Sequence, residues 1–466
     1  MTTHVAVVGA YGSAGVVVAE RLASEPDVEL TLIDDGDPGG GLCILAGCMP
    51  SKELITAAER RFAVREDDRL PGDAPDVDLE RVVERKDENI STYAEGRRSH
   101  VHELAERDGV TLRRETAEFL GDRRLAVGED VIEPDYLVIA TGSTLNVPPI
   151  PGIDAVPFET SRDVLDATEF GDTGLVVGLG AIGLELVPYL SEAAGMDLTA
   201  VEMLPTVLPD AAPEISAELV DYYRDEFDVD VRLDTQTKRL EGTADGGVRA
   251  VLDDGSETTV EADQLFLFTG RKPALDRLNV DATRLTPEAG WIEDTLQARD
   301  DDRVFVVGDA NGREPILHVA KEEGAVAAEN VLRHRDGRPL EPYENVPHQV
   351  VFSGLGDLPY ARLGHTAASA REAGLDPIVV TQDVASLGVF RSRHYTDGLA
   401  RLVVGDDGTV LGYQGLHPDA DVMAKTMQVI VEMGLDVREI PDRAYHPTTP
   451  EILDGLFTEA AAKLDV

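Results

Sequence analysis

Thiols are nearly missing from this chain: its 466 residues hold two cysteines, Cys43 and Cys48. Two thiols make no structural disulfide framework, and a close pair in a cytosolic protein points instead to catalysis or metal binding. With no further Cys or His cluster beside them they fall short of a zinc site, so no metal is expected. Basic charge is scarce as well. Lys and Arg number 42 against 89 Asp and Glu, a formal charge of −47, and only seven of the basic residues are lysine. Phosphate binding needs a basic patch, which excludes nucleic acid as a partner and anionic membranes with it. No apolar run approaches the roughly 18–20 residues of a membrane span. The opening residues MTTHVAVVGAYG carry no basic segment and pass straight into a strand pattern. No signal peptide is therefore expected, and the cytoplasm is the expected location.

What is present describes a globular protein. The hydrophobic fraction is 42%, and the length suits three or four domains. A charge of −47 repels itself strongly at low salt. At about 1 M salt the Debye length is about 3 Å and that repulsion is screened. The composition therefore indicates a halophilic protein working in a high-salt cytoplasm.

The two cysteines lie in the stretch GGGLCILAGCMPSK. A glycine run precedes them, and Pro50 and Ser51 open a helix. A thiol at a helix N-terminus feels the positive end of the dipole, which lowers its pKa and favours the reactive thiolate. Two such thiols with four residues between them can close a small disulfide ring.

Along the chain the first residues read β-α-β: strand His4–Val8, glycine-rich turn Gly9–Gly15, helix Val16–Ser24, strand Val28–Ile33 ending in Asp34. A matching unit recurs: strand Gly174–Val177, turn Gly178–Gly183, a helix to about Ala194 with a kink expected at Pro188, and strand Leu198–Val201 ending in Glu202. Between them lie helical segments at Ser51–Asp67 and Asp78–Asp108, strand Tyr136–Ala140, and a Pro-rich stretch, Gly142–Gly152, that reads as a linker. Strand Gln264–Thr269 runs into Gly270-Arg271, strand Arg303–Val307 into Gly308-Asp309, and a helix covers about Val319–Arg333. From Pro342 the pattern turns antiparallel (Gln349–Ser353, Ile378–Asp383, Leu399–Val404, Val410–Leu416), followed by helices at Ala420–Met433 and from Pro450. The expected class is α/β, with two Rossmann-like nucleotide-binding domains and an α+β C-terminal domain.

In such glycine turns the first glycine permits the tight turn, the second lets backbone approach a pyrophosphate, and the third lets helix pack on strand; an acid about 20 residues on takes the ribose hydroxyls. The second turn is complete, with Gly178, Gly180, Gly183 and Glu202. The first reads Gly9-Ala10-Tyr11-Gly12-Ser13-Ala14-Gly15, with Tyr11 and Ala14 where glycines are expected and Asp34 in place. A carboxylate at Glu202 repels a 2′-phosphate, and no Arg follows from Met203 to Asp210, so the second site favours NADH.

At this point the chain resembles the FAD-containing pyridine nucleotide–disulfide oxidoreductases over essentially its whole length. The motifs that carry the resemblance are the first glycine turn, Cys43-x4-Cys48-Met-Pro-Ser-Lys52, Ala140-Thr141-Gly142, the second glycine turn with Glu185, Thr269-Gly270-Arg271, Gly308-Asp309, and His446-Pro447-Thr448-Thr449-Pro450-Glu451. The resemblance implies FAD and NAD(P)H as cofactors. It implies that Cys48 is the thiol facing the flavin, that Cys43 is the interchange thiol attacking the substrate disulfide, and that Lys52 and Glu185 pair beside the flavin. It implies that Asp34 serves the FAD adenosine ribose and Asp309 the ribityl chain, with Gly9, Gly12, Gly40, Ala117, Thr141, Gly142, Gly270 and His318 among the cofactor-binding positions. His446 with Glu451 is implied as an acid–base dyad reaching into the partner subunit's active site, hence a homodimer. A His oriented by a carboxylate moves a proton near neutral pH, which thiol–disulfide exchange requires. The implied domains are 1–150 (FAD, first part, with the cysteines), 151–272 (NAD(P)), 273–341 (FAD and central, second part) and 342–466 (dimerisation). Leu45 and Ala274 depart from the pattern, each standing where Asn is common.

Within the family, the C-terminal stretch FTEAAAKLDV has no extra thiol pair, which sets aside mercuric and large thioredoxin reductases. A lipoyl group or a small-molecule disulfide is left. Glu202-Met203 is similar to dihydrolipoamide dehydrogenases, while the CILAGCM loop and the halophilic composition are similar to bis-γ-glutamylcystine reductase of halophilic archaea, a small-thiol subtype that favours NADPH. The small disulfide is the preferred substrate, and the nicotinamide is left open. Arg60, Arg61, Arg97, Arg98, Arg391, Arg393 and His394 are candidates for a pocket receiving an anionic disulfide. The competing class is a non-catalytic flavoprotein, a redox sensor or complex subunit, against which the His446–Glu451 dyad argues.

Overall fold

A computed structural model describes residues 2–441 and 443–464. The chain forms two compact units, each assembled from three separate stretches: 1–50, 85–146 and 271–345 in the first, and 51–84, 147–270 and 346–466 in the second.

The first unit is built on a six-stranded sheet. Parallel strands lie in the order Val110–Arg113, Val28–Ile33, Thr3–Val8, Tyr136–Ile139 and Asp301–Val306, with Gln297–Ala298 added antiparallel at the edge. Thr3–Val8 and Tyr136–Ile139 are apolar along nearly their whole length because both faces of the sheet are covered. On one face Val16, Val18 and Leu22 of helix Ser13–Leu22 pack with Ala327, Ala328 and Val331 of helix Leu317–Arg335. The two helices come so close that a Cβ on Gly324 would lie 2.7 Å from the Ala14 carbonyl oxygen. On the other face Phe119, Leu125 and Trp291 seal the core. The chain leaves Thr3–Val8 for a neighbour on one side and later returns on the other. That switch point opens a crevice at the C-terminal ends of the strands, where ligands of such sheets bind.

The second unit contains a five-stranded parallel sheet in the order Asp230–Arg232, Asp197–Val201, Thr173–Val177, Gln264–Leu267, Glu159–Thr160. It also contains a five-stranded antiparallel sheet of His348–Val351, Tyr360–Gly364, Val410–Leu416, Leu399–Val404 and Ile378–Asp383. Helices Ala420–Glu432 and Glu451–Leu464 bury Met423, Met427, Leu453 and Leu456 in the core with it. The mixed α/β class read from sequence is the class observed.

Several local expectations are corrected. The helix after the cysteines starts at Cys48, not Ser51. The presumed linker contains strand Ser143–Leu145, paired antiparallel with Arg271–Pro273. Helix Ala181–Glu192 carries Pro188 inside it, where the sequence placed it. The ring removes the N–H that would bond the Leu184 carbonyl, and the Tyr223 hydroxyl donates to that carbonyl instead. Two three-stranded antiparallel sheets were not foreseen: Ala117–Gly121 with Arg124–Val127 and Asp130–Ile132, and Gln236–Gly242 with Val248–Asp253 and Glu257–Ala262.

Candidate active site

The first glycine turn is longer than its sequence indicated. Gly9 has φ +97°, and a Cβ there would lie 2.2 Å from the Ala140 carbonyl oxygen; a Cβ on Gly15 would lie 2.1 Å from the Gly9 oxygen. In the second turn Gly178 has φ +99°, and a Cβ on Gly183 would lie 2.4 Å from the Gly178 oxygen. Gly12 and Gly180 are the extended residues that cap the two following helices. Gly9, Gly12 and Gly15 therefore fill the three roles of Gly178, Gly180 and Gly183. Tyr11 and Ala14 do not stand in for glycines, because the first turn carries one extra residue between its first two.

Tyr11 is buried. Its N–H donates to Asp34 Oδ2 at 2.8 Å, and its hydroxyl bonds His102 Nε2 at 2.8 Å. Its ring fills the space beside Gly39, where a Cβ would come within 2.4 Å of it. Gly15→Ala is expected to force about 1–3 kcal/mol of strain and to lose bound flavin, whereas Ala14→Gly retains it; flavin absorbance after gel filtration reads the difference.

The two acids are held alike. Asp34 accepts from the N–H groups of Tyr11 and Gly36, both at 2.8 Å, and burial raises its pKa above the usual value. Glu202 accepts from Leu179 N–H at 2.9 Å and Leu204 N–H at 3.0 Å. Each carboxylate ties its turn to the strand end and keeps lone pairs for ribose hydroxyls.

A cavity of about 360 Å³ lies over the first turn, lined by Gly9, Asp34, Ala117 and Thr141. Thr141 Oγ1 is buried there without a hydrogen-bond partner. A second cavity of about 130 Å³ is lined by Gly12, Cys43, Cys48, Gly142 and Asp309. An orphaned hydroxyl, a glycine cradle at a helix start and a carboxylate at each cavity fit a dinucleotide such as FAD. Asp309 accepts from Ser143 Oγ at 2.6 Å, and Arg271 holds Ser143 through its Oγ and its carbonyl, at 2.8 and 2.7 Å. Gly40 lies off these linings, its α-carbon facing Leu45 and Ala94. His318 is exposed, and its neighbours Leu317 and Ala320 line the cavity in its place.

Cys43 sits in the short helix Leu42–Ala46, and Cys48 is the first residue of helix Cys48–Glu66. The thiols are unlinked here, Cys43 partly buried and Cys48 exposed. A hydrogen bond to the Cys48 sulfur pushes the Cys43 thiol well up, and burial adds to this, against the N–H groups of Cys48 and Met49. The lowered pKa expected from a helix terminus does not hold for Cys43 in this dithiol.

In the second unit Lys52 Nζ lies 2.7 Å from Glu185 Oε2 and 4.1 Å from the centre of the Phe352 ring, and Phe352 N–H donates to Glu185 Oε1 at 3.2 Å. His446 Nδ1 bonds Glu451 Oε1 at 3.0 Å, and Thr448 N–H holds the same oxygen at 3.1 Å. The imidazole is 81% exposed, so Nε2 is free to exchange a proton with an incoming group.

Residues 3–324 match the family described as pyridine nucleotide-disulphide oxidoreductase, and residues 349–456 match its dimerisation domain. The chain belongs to the pyridine nucleotide-disulphide oxidoreductases. Like its family it is an enzyme that uses FAD and NAD(P)H. A dihydrolipoyl dehydrogenase of Halobacterium salinarum is 33% identical over 96% of this chain and 94% of its own length. A probable pyridine nucleotide-disulfide oxidoreductase of Escherichia coli, RclA, is 26% identical over 98% of this chain and 99% of its own. The solved structure titled HOCl-induced flavoprotein disulfide reductase RclA superimposes with a TM-score of 0.81 at 24% identity, covering 98% of this chain and 99% of that one.

The cationic candidates of this oxidoreductase separate. Arg61 is bound to Glu192, and Arg98 donates to the Gly39 carbonyl at 3.1 Å. Arg60, Arg391, Arg393 and His394 are exposed residues of the second unit. Arg97 alone of the set lines a cavity that Cys43 also lines. Among the described residues no helix is long and apolar enough to cross a membrane, and no cluster of three His, Cys, Asp or Glu is placed to hold a metal.

Sequence reasoning missed the carboxylate that fixes the Asp309 turn. Glu323 is 1% exposed and accepts from Gly308 N–H at 2.6 Å and from Asn311 Nδ2 at 2.9 and 2.8 Å. The signal was present, since Glu323 shares the apolar face of its helix with Val319, Ala320, Ala327 and Val331. Burial raises its pKa from 4.5 to about 7. The folded state binds the proton more tightly over that window, so this contribution to stability falls as pH rises from about 4.5 to about 7. The loss is about 3 kcal/mol. Glu323→Gln is expected to lack that slope in unfolding measurements across the window.

Proposed function

We propose that the protein reduces a low-molecular-weight disulfide, bis-γ-glutamylcystine first among them, at the expense of NAD(P)H. The observation that carries this reading is the Cys43–Cys48 dithiol, with both thiols on one small cavity that Gly12, Gly142 and Asp309 also line. Residues 1–150 and 273–341 form the FAD part, 151–272 the NAD(P) part, and 342–466 the dimer interface. Glu202, with no Arg from Met203 to Asp210, supports NADH.

The chemistry follows from the thiols. The Cys43 proton passes to His446 Nε2 of the partner subunit, and the Cys43 sulfur attacks one sulfur of the substrate. The Cys43–substrate bond forms, the substrate S–S bond breaks, and the departing thiolate takes the proton back. Cys48 gives up its proton to solvent and attacks Cys43, closing the Cys43–Cys48 disulfide and releasing the second thiolate, which is protonated from solvent. Two electrons have left the dithiol. FAD supplies the two-electron relay that returns the disulfide to the dithiol. In the second unit Lys52 is a cation whose charge Glu185 balances and whose position the pair holds.

The haloarchaeal relative named dihydrolipoyl dehydrogenase supports a second reading, in which lipoamide is the substrate. Steady-state oxidation of NADH and NADPH in multi-molar salt, with bis-γ-glutamylcystine, oxidised glutathione and lipoamide offered in parallel, separates the two. Selective turnover of the small acidic disulfide is expected. Faster NADH-linked lipoamide turnover establishes the second reading, and turnover of none sinks both and leaves the non-catalytic flavoprotein.

A further inference from the structure

Cys43 faces two cavities. One it shares with Cys48. The other, of about 440 Å³, reaches Cys43 without Cys48 and is lined by helix Ser13–Leu22, helix Leu79–Ala105 and the start of helix Leu317–Arg335. Val16, Val17, Ile44 and Leu317 make part of its lining apolar. Two cations enter it from different helices, Arg97 and Lys321.

Their state is unusual for this chain. Acids outnumber bases 89 to 42, yet neither Arg97 nor Lys321 has a carboxylate within ion-pairing distance among the described residues. Glu20, the one acid on the lining, is hydrogen-bonded with His100 Nε2 at 2.6 Å. Arg97 is half-buried, and its single hydrogen bond among the described residues, to the Tyr11 carbonyl at 3.4 Å, leaves most of its five donors unused. Burial disfavours its charge, which Glu20 partly supports. A fork of unused guanidinium donors on the same cavity as an ammonium matches a carboxylate in geometry and sign. The protein's overall field repels anions, but in concentrated salt only the charges within a few Å act, and on this lining two cations, Arg97 and Lys321, stand against one acid, Glu20.

We propose that Arg97 and Lys321 form the carboxylate-recognition site of the substrate, so that the disulfide delivered to Cys43 is that of a small acidic thiol. This rests on the reading that Cys43 attacks a small disulfide, and it narrows the class to disulfides bearing carboxylates a few bonds from sulfur.

Arg97→Met and Lys321→Met, prepared as flavin-loaded protein in multi-molar KCl, test it in two ways. In turnover, the ratio of kcat/KM for bis-γ-glutamylcystine to that for cystamine, which has no carboxylate, is expected to fall about tenfold or more in each variant, through KM. In the reduced protein, alkylation of Cys43 by iodoacetate relative to iodoacetamide, read by peptide mass, is expected to fall in parallel. Unchanged ratios in both assays overturn the proposal while leaving disulfide reduction standing. Absence of turnover by the unmodified protein overturns the parent reading and this one with it. An equal loss for both substrates, with an unchanged alkylation ratio, assigns the two cations a structural role and overturns recognition.

Discussion

Cys43→Ser is expected to abolish disulfide turnover, by a factor on the order of 10³ or more, while NAD(P)H still reduces the bound flavin. A serine hydroxyl is no nucleophile toward sulfur at neutral pH, and it forms no exchangeable bond with a substrate thiol. Cys48 stays in the cavity lined by Gly12, Gly142 and Asp309, so the nicotinamide half of the reaction loses nothing it uses. Stopped-flow reduction of the flavin and steady-state disulfide reduction, measured on one preparation, separate the halves. A variant that still turns over small disulfides removes Cys43 from the attacking role. A wild type that never did so makes the protein the non-catalytic flavoprotein.

His446→Ala is expected to lower turnover by about 10²–10⁴-fold, the range that a positioned general acid–base contributes. Glu451→Gln is expected to cost less, since Glu451 orients the imidazole through Nδ1 and leaves Nε2 in place. The dyad's proposed service to the other subunit gives a sharper test. Cys43→Ser and His446→Ala proteins, each inactive alone, are dissociated and re-paired. A heterodimer then holds one site with both wild-type groups, and random re-pairing restores about a quarter of wild-type turnover. A dyad serving its own subunit restores none.

Much of this was legible in the sequence, and the exceptions have physical reasons. The parallel strands were readable because burial on both faces writes them as apolar runs, as in Thr3–Val8. The sheet of Gln236–Gly242, Val248–Asp253 and Glu257–Ala262 was not. Its outward positions carry charge that masks the alternation, and it is stitched by pairs such as Arg249–Glu261 at 2.6 Å and Lys238–Asp253 at 3.1 Å. In so acidic a chain an exposed strand reads like a loop. The glycine turns were recognisable as turns, but an inserted Tyr11 and a replaced glycine look the same in one dimension. Only the approach of Gly15 to the Gly9 carbonyl shows which glycine does what. His446 and Glu451 are five positions apart and their meeting could be inferred; Lys52 and Glu185 are 133 apart and needed the family resemblance. The Cys43 pKa went the wrong way because a helix dipole is a local effect and the sulfur–sulfur hydrogen bond outweighs it.

In the proposed cycle Cys43 takes up half of a small disulfide. Cys48→Ser leaves Cys43 as the only thiol in the chain, so a mixed disulfide formed there has nothing to resolve it. Intact-protein and peptide mass spectrometry after reaction with bis-γ-glutamylcystine should find one γ-glutamylcysteine on Cys43, removable by dithiothreitol. An unmodified Cys43 under conditions where wild-type protein turns the same disulfide over would contradict the account.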